Sequence, residues 1–432
     1  METKAKEYYY FTVLGFSAIL SYYCMMGQTN FWLFFYDNTT ITTISMVFTV
    51  GEFLGSLVAI VLNKKWKTKT FSSVHVATSV VSLAVMLPLT FVQGKTTRLV
   101  LLCIPVLLSG VTASMFIACV IGLASKFNPF YIQAATLGIS VSSIFMSLLQ
   151  LALSAIFDAS KLAARPSNIY NCLVFYVITI LIFLYTLLVW TQLNRLIAPE
   201  AVVQAEELSQ ISESASKAEL LKDCESVVTD TVEPSRADMQ VVEAVVLEQV
   251  VEPEVVQMNP KEFRRAVYPT AIALGINNVI TFAMFPLFVS NIPCLSASCQ
   301  KSLEKWWTMI FMNLHMLFDL VGKLVPSIKR FKLKLAPGLV MCYCRVLFCV
   351  LFVLITLPRT QPVIQSDAAS FAIEIAFSLS QSLLYTSCIM QYQNNFTNPL
   401  DRQKASFYQN VLYQGGIGLG AIIGVCIKFL FE

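Results

Sequence analysis

Apolar runs of about twenty residues alternate along the chain with short polar breaks. There is no period-two alternation, so the pattern is that of helices long enough to cross a bilayer. The runs lie near residues 8–33, 41–62, 72–92, 98–122, 131–157, 168–192, 266–290, 305–327, 336–357, 369–392 and 405–430. They predict an all-α polytopic membrane protein with eleven transmembrane helices. The run at 369–392 is the least apolar, because it carries Glu374, Gln381 and Gln391.

One long polar stretch interrupts this rhythm after the sixth run. It divides the chain into an N-terminal six-helix half (1–192), a linker (193–264) and a C-terminal five-helix half (265–432). Between Ala198 and Pro260 the stretch holds fourteen acids and three bases, Lys217, Lys222 and Arg236. It is poor in Gly and aromatic residues, which predicts an acidic, largely disordered cytosolic linker. Two helical halves joined by a long loop are the plan of a carrier whose halves rock against each other.

Composition agrees with the membrane reading: 56% of residues are hydrophobic and 13% charged, against about 25% charged in soluble domains. A net charge of +4 gives no argument for nucleic acid. Placing the N-terminus in the cytoplasm puts thirteen Lys or Arg on the inner side and eight on the outer. The positive-inside rule favours that orientation, with the C-terminus exoplasmic. Most of the cysteines lie in apolar runs, where a thiol acts as a small hydrophobe. Cys294 and Cys299 instead share the polar loop CLSASC, where a disulfide depends on the redox state of the side the loop faces.

Enzyme and cofactor signals fail on spacing. QGKTTR at 93–98 ends like a phosphate-binding loop, but Leu89 stands where that loop needs its first glycine. His75 and His315 are far apart, with no cysteine at metal-ligand spacing, and no GxSxG elbow occurs. No catalytic residue, cofactor or metal is therefore expected.

The informative residues are charges inside the apolar runs: Glu52, His315, Asp319, Lys323, Arg345 and Glu374. Each full charge costs roughly 2.5–3.5 kcal/mol at a helix centre on insertion scales, and is kept for pairing or for a polar path. His315, Asp319 and Lys323 follow at i, i+4 and i+8, so they share one helix face. That face is read either as a structural Asp–Lys tether or as a polar stripe facing a central cavity. Arg345 on the next span is placed to pair with Asp319, leaving Lys323 for a ligand. Glu374 is read as lying near the outer surface, with a solvated helix end as its plain account. His315 and Glu52 are the candidate proton-coupling residues. Asn277 and Asn278 add polar groups before the break at Pro286, and the GGIGLG stretch at 415–420 lets helices approach closely.

These residues also carry a resemblance. FDLVGK at 318–323 is similar to the Phe-Asp-Trp-Leu-Gly-Arg signature in the eighth span of the equilibrative nucleoside transporter family. GLASKFNPFYIQAATLG at 122–138, MFP at 284–286, the Arg345-led run RVLFCVLFVL and GGIGLGAIIG at 415–424 resemble further stretches of the same family, in the same order. The resemblance implies a divergent member with a major-facilitator-like, six-plus-five arrangement. Its substrate would be a nucleoside or nucleobase, with a proton as candidate co-substrate, crossing the lipid bilayer of the plasma membrane. It implies that Asp319 and Lys323 contact ribose hydroxyls, that Phe285 lines the cavity, and that Tyr22 and Met26 face the base. The chain departs from the family where Ser21-Tyr22-Tyr23 replaces Pro-Trp-Asn, where Ile117 replaces a base-reading glutamine, and where Lys323 replaces an arginine. His315 also stands where an aromatic is usual, and Met316 where an asparagine is. The sugar end thus matches better than the base end. A major-facilitator-like carrier of another small solute, such as a sugar, amino acid or drug, is the alternative.

Overall fold

The structure, a computed structural model, describes residues 2–36, 39–62, 68–127, 129–156, 169–196, 258–285, 288–296, 304–327, 335–357, 362–392, 395–396 and 398–431. The described residues form α-helices joined by short connections, with two single 3-10 turns. The N-terminal half comprises α1 (Glu2–Ala18), α2 (Leu20–Gly27), α3 (Thr29–Phe35), α4 (Thr39–Leu62), α5 (Thr68–Leu89), α6 (Lys95–Phe127), α7 (Pro129–Ile156) and α8 (Ile169–Leu196). The C-terminal half comprises α9 (Pro260–Met284), α10 (Glu304–Leu324), α11 (Leu335–Cys344), α12 (Val346–Thr356), α13 (Asp367–Tyr392) and α14 (Pro399–Phe431). Among the described residues nine helices are long and apolar enough to span a membrane, or ten if the bent pair α1–α2 counts as one span. The chain is thus an all-helical integral membrane protein. The helix α10 is not among the nine, because its polar stripe lowers its mean hydropathy.

Residues Thr191–Met258 separate from the rest as a second compact unit. Of these only the end of α8 and Met258 are described. Of the acidic linker expected at 193–264, residues 193–196 end α8 and 260–264 open α9; residues 197–257, and Pro286 with its expected kink, lie outside the described residues.

Local sequence explains the main irregularities. The first expected span is broken into α1, α2 and α3, with a 45° bend between α1 and α2 at Ile19. The α9 helix starts at Pro260, six residues before its apolar run, because Asn259 caps it by accepting from the Lys261 amide at 3.1 Å and Pro260 needs no amide partner at N1. At Arg345 the helix slips: the Arg345 amide is shared between the carbonyls of Met341 and Cys342, both at 3.2 Å, and this divides α11 from α12.

Packing follows small residues. Gly416, Gly420 and Gly424, at i, i+4 and i+8, bring α14 onto the backbone of α9 at Gly275, Val279 and Ala283. A Cβ on Gly420 would lie 2.6 Å from the Val279 carbonyl oxygen, and one on Gly424 2.6 Å from that of Ala283. The close approach expected of this glycine run is present. On the outside, Val177, Leu181, Leu184 and Leu188 form an exposed apolar row on α8 at helical spacing, the face lipid covers in an integral membrane protein.

Many of the buried apolar residues gather in clusters, three of which bear on the halves. One is built wholly from the N-terminal half, around Trp32, Phe48, Phe175 and Phe183. A second is built wholly from the C-terminal half, around Met284, Phe311, Phe352 and Phe377. The third joins them at one end of the bundle, where Phe407 of α14 packs among Ala59, Phe71, Met115 and Cys119.

Candidate functional site

Between the halves lies a cavity that encloses about 900 Å³, its open mouth included. It is lined by Tyr22 and Tyr23 after the α1–α2 bend, Glu52 of α4, Ile117 of α6, Ser143 of α7, Phe285 at the end of α9, His315, Asp319 and Lys323 of α10, Gln381 and Tyr385 of α13, and Tyr413 and Gln414 of α14. Aromatic walls with few convergent polar groups are the usual lining of small-molecule sites.

The stripe on α10 does face this cavity, and a second stripe on α13 supports it. Glu374, Ser378 and Ser382 follow one another at i+4 spacing, as do His315, Asp319 and Lys323. Ser382 donates to Asp319 Oδ1, Ser378 to the His315 carbonyl at 2.5 Å, and His315 Nδ1 lies 2.6 Å from Glu374 Oε1. Gly322 allows the two helices this approach, since a Cβ there would lie 2.7 Å from the Leu379 carbonyl oxygen.

Asp319 Oδ2 accepts from Ser140 of α7 and from Lys323 Nζ at 2.9 Å. Lys323 Nζ also donates to Ser140 Oγ at 2.6 Å and stands 5.5 Å from the centre of the Tyr385 ring. Ion pair and hydroxyl thus form one closed knot of charge-assisted bonds, shorter and stronger than neutral ones. On the other side of the cavity Gln414 hydrogen-bonds Glu52. Buried amide oxygens of Gln381 and Gln414 carry no hydrogen-bond partner among the described residues.

The residues expected from the sequence separate into two sets. Tyr22, Phe285, Asp319, Lys323, His315 and Glu52 all line the cavity. Phe285 stacks on the His315 imidazole with centroids 4.0 Å apart and planes at 16°, and Tyr22 bonds Ser45 at 3.1 Å. Met26 is half-buried against the N-terminal core and is not among the cavity-lining residues. Arg345 does not pair with Asp319. Its guanidinium, 1% exposed, donates to Ser380 Oγ at 3.1 Å, to Thr281 Oγ1 at 3.1 Å, to the Phe377 carbonyl at 3.2 Å, and to the carbonyl and side-chain oxygens of Asn277. Helical register turns Arg345 toward α9 and α13, while Asp319 already has its cation four residues away. Glu374 is likewise not a solvated end. It is fully buried against His315, because the α13 stripe faces inward along α10.

The sequence reading missed Tyr23, Ser140, Gln381, Ser382, Tyr385, Tyr413 and Gln414. The α13 polar row was visible as an i+4 series but was read only as weakened hydropathy. On α7, Gln133, Ser140 and Ser147 recur every seven residues, a spacing that keeps them on one face. Cys294 is disulfide-bonded, and its expected partner Cys299 lies outside the described residues.

The fold matches that of carriers with major-facilitator architecture. The crystal structure of the Escherichia coli fucose:proton symporter has a TM-score of 0.54 at 12% identity, covering 98% of this chain and 96% of that one. A bacterial homologue of the iron transporter ferroportin, in its outward-facing state, has 0.56 at 9%, covering 98% and 93%. Two helical halves around a cavity are the fold this chain shares with these proteins. The signature of the nucleoside transporter family matches residues 103–429, and the chain belongs to that family. An Arabidopsis thaliana protein described as equilibrative nucleotide transporter 7 is 24% identical over 255 residues, 58% of this chain and 54% of that protein. The chain thus spans about half the length of this relative.

Proposed function

We propose that the protein carries nucleosides across the plasma membrane by alternating access, through eleven spans in a six-plus-five arrangement with a cytoplasmic N-terminus. The observation that carries this reading is the Asp319–Lys323 pair set in an aromatic-walled cavity drawn from both halves. A carboxylate accepts from vicinal hydroxyls and an ammonium donates to the same oxygens, which suits a ribose. The rings of Tyr22, Tyr23, Tyr385 and Tyr413 suit a flat heterocycle. The charge balance favours an uncharged substrate: the Asp319 carboxylate already engages the Lys323 ammonium, so a phosphate would have to compete with it for that cation in a low-dielectric site. In this reading the end closed by Phe407 is cytosolic, as the basic connections on that side support.

The Phe285–His315–Glu374 series supports proton coupling as a second element of the reading, because an imidazole in the cavity wall meets a buried carboxylate at 2.6 Å. The test is uptake of a nucleoside and nucleobase panel in a transport-deficient host by the wild type and Lys323→Ala. Saturable nucleoside uptake that Lys323→Ala abolishes is expected. Uptake of no panel member, or uptake competed by sugars or amino acids and not by nucleosides, overturns the reading in favour of another small solute.

A further inference from the structure

The Ser140 hydroxyl makes two bonds of opposite sense at the same point: it donates to Asp319 Oδ2 and accepts from Lys323 Nζ at 2.6 Å. That is the pair of bonds the reading above assigns to a ribose hydroxyl. The hydroxyl belongs to α7 and the ion pair to α10, so the knot crosses from the N-terminal to the C-terminal half. It is the middle rung of a ladder. Gln133 Nε2 donates to the Lys323 carbonyl at 3.0 Å, and Ser147 Oγ donates to Asn313 Oδ1 at 2.6 Å. The three α7 positions are a heptad apart, and their partners on α10 run in the reverse direction, as two antiparallel helices require. The outer rungs join neutral groups, whereas the middle rung alone holds a full ion pair and lies beside the cavity-lining residues.

We propose that Ser140 is a built-in surrogate for the substrate hydroxyl, holding the two halves together in the empty carrier until a vicinal diol displaces it. This rests on the nucleoside reading of the same site. A ribose that takes over the bonds of Ser140 opens the charged rung between α7 and α10 without leaving Asp319 or Lys323 unpaired and leaves only the neutral rungs to part, so the loaded carrier changes state more readily than the empty one. A substrate without the diol has nothing to exchange for the serine and leaves the rung intact. Ser140 thereby acts as a positioning residue and as a filter for substrates with adjacent hydroxyls.

The experiment compares zero-trans uptake with exchange, normalised to surface protein, in the wild type, Ser140→Ala and Ser140→Thr. In the wild type a ribonucleoside on the far side should accelerate uptake, and its 2′,3′-dideoxy analogue should not. In Ser140→Ala the acceleration should vanish, and KM for the ribonucleoside should fall about tenfold, the low end for losing one competing hydrogen bond to a charged group. Ser140→Thr, which keeps the hydroxyl, should behave as wild type. Lost packing would lower surface protein or raise KM, not lower it. Ser140→Ala with acceleration intact and KM unchanged or raised overturns the latch while leaving the nucleoside reading standing. A wild type that moves no nucleoside overturns both.

Discussion

Replacing Arg345 by alanine or by leucine separates a scaffold role for this residue from a role in binding. The guanidinium is enclosed by α9 and α13 and donates to five oxygens, none of them a carboxylate. Of those oxygens, that of Asn277 depends most on Arg345, since the Phe377 carbonyl also accepts from Ser380 at 2.9 Å and Thr281 donates to the Asn277 carbonyl at 2.8 Å. Alanine therefore leaves a cavity worth about 2–5 kcal/mol and one orphaned amide oxygen worth about 1–3 kcal/mol. Removing a buried, unpaired cation offsets several kcal/mol of this. The net is a loss of about 2–4 kcal/mol for Arg345→Ala. Arg345→Leu refills much of the space and should lose about 1–2 kcal/mol. At roughly 2–4 °C per kcal/mol for a unit of this size, thermal unfolding of purified protein in detergent should rank wild type above Arg345→Leu above Arg345→Ala. Surface-normalised KM for the leucine variant should stay within a few-fold of wild type. If both variants melt with the wild type yet lose uptake through KM, Arg345 touches substrate and the scaffold argument is wrong.

Three further outcomes follow from the same contacts. Asp319→Asn removes a full charge from bonds to Ser140, Ser382 and Lys323, and should raise KM for ribonucleosides roughly 10- to 100-fold; an unchanged KM in radiolabelled uptake would remove Asp319 from the site. If protons travel inward with substrate, uptake rises as external pH falls, by mass action. His315→Phe and Glu374→Gln should each flatten that rise, and a pH profile that neither variant alters refutes the assignment. Gly420→Val forces its side chain against the α9 backbone, where even a Cβ would sit 2.6 Å from the Val279 carbonyl oxygen, and overpacking of this kind costs about 1–3 kcal/mol or more. A lost monodisperse peak in size-exclusion chromatography is expected, and a normal one would show that α9 and α14 can part at no cost.

How legible the site was depended on which helix carried the signal. The α10 stripe stood out because three ionisable residues at i, i+4 and i+8 are costly in an apolar run, so their face could be read without any partner. Glu374 was visible too, but a single acid near the end of a span carries no direction; its inward face emerges only when Ser378 and Ser382 are seen to meet His315 and Asp319. Arg345 is expected to pair with Asp319 on the neighbouring span, and register decides otherwise. Gln381 and Gln414 were invisible as site residues, because an amide in a membrane helix packs against backbone as readily as it faces a ligand. The Asn277 amide, which donates to the Gln381 carbonyl at 3.4 Å, is such a case. The heptad of Gln133, Ser140 and Ser147 was present in the sequence, but its meaning required the partner helix.

The distribution of apolar packing bears directly on movement. Each half has its own buried aromatic core, so each can hold its shape while turning, and the work of a change of state falls on what joins them. Two parts of that junction are unlike. At one end Phe407 of α14 sits among Ala59, Phe71 and Met115, an apolar contact that water can replace only at the cost of its burial, about 25 cal/mol per Å². Along α7 and α10 the junction is polar, and its bonds can be exchanged for others of the same kind by a hydroxylated solute. A substrate can therefore act on the second part and not on the first. No group that lines the cavity belongs to the Phe407 cluster. On the Ser140 proposal, binding is coupled to transport through α7, a helix that contributes no ionisable residue to the cavity.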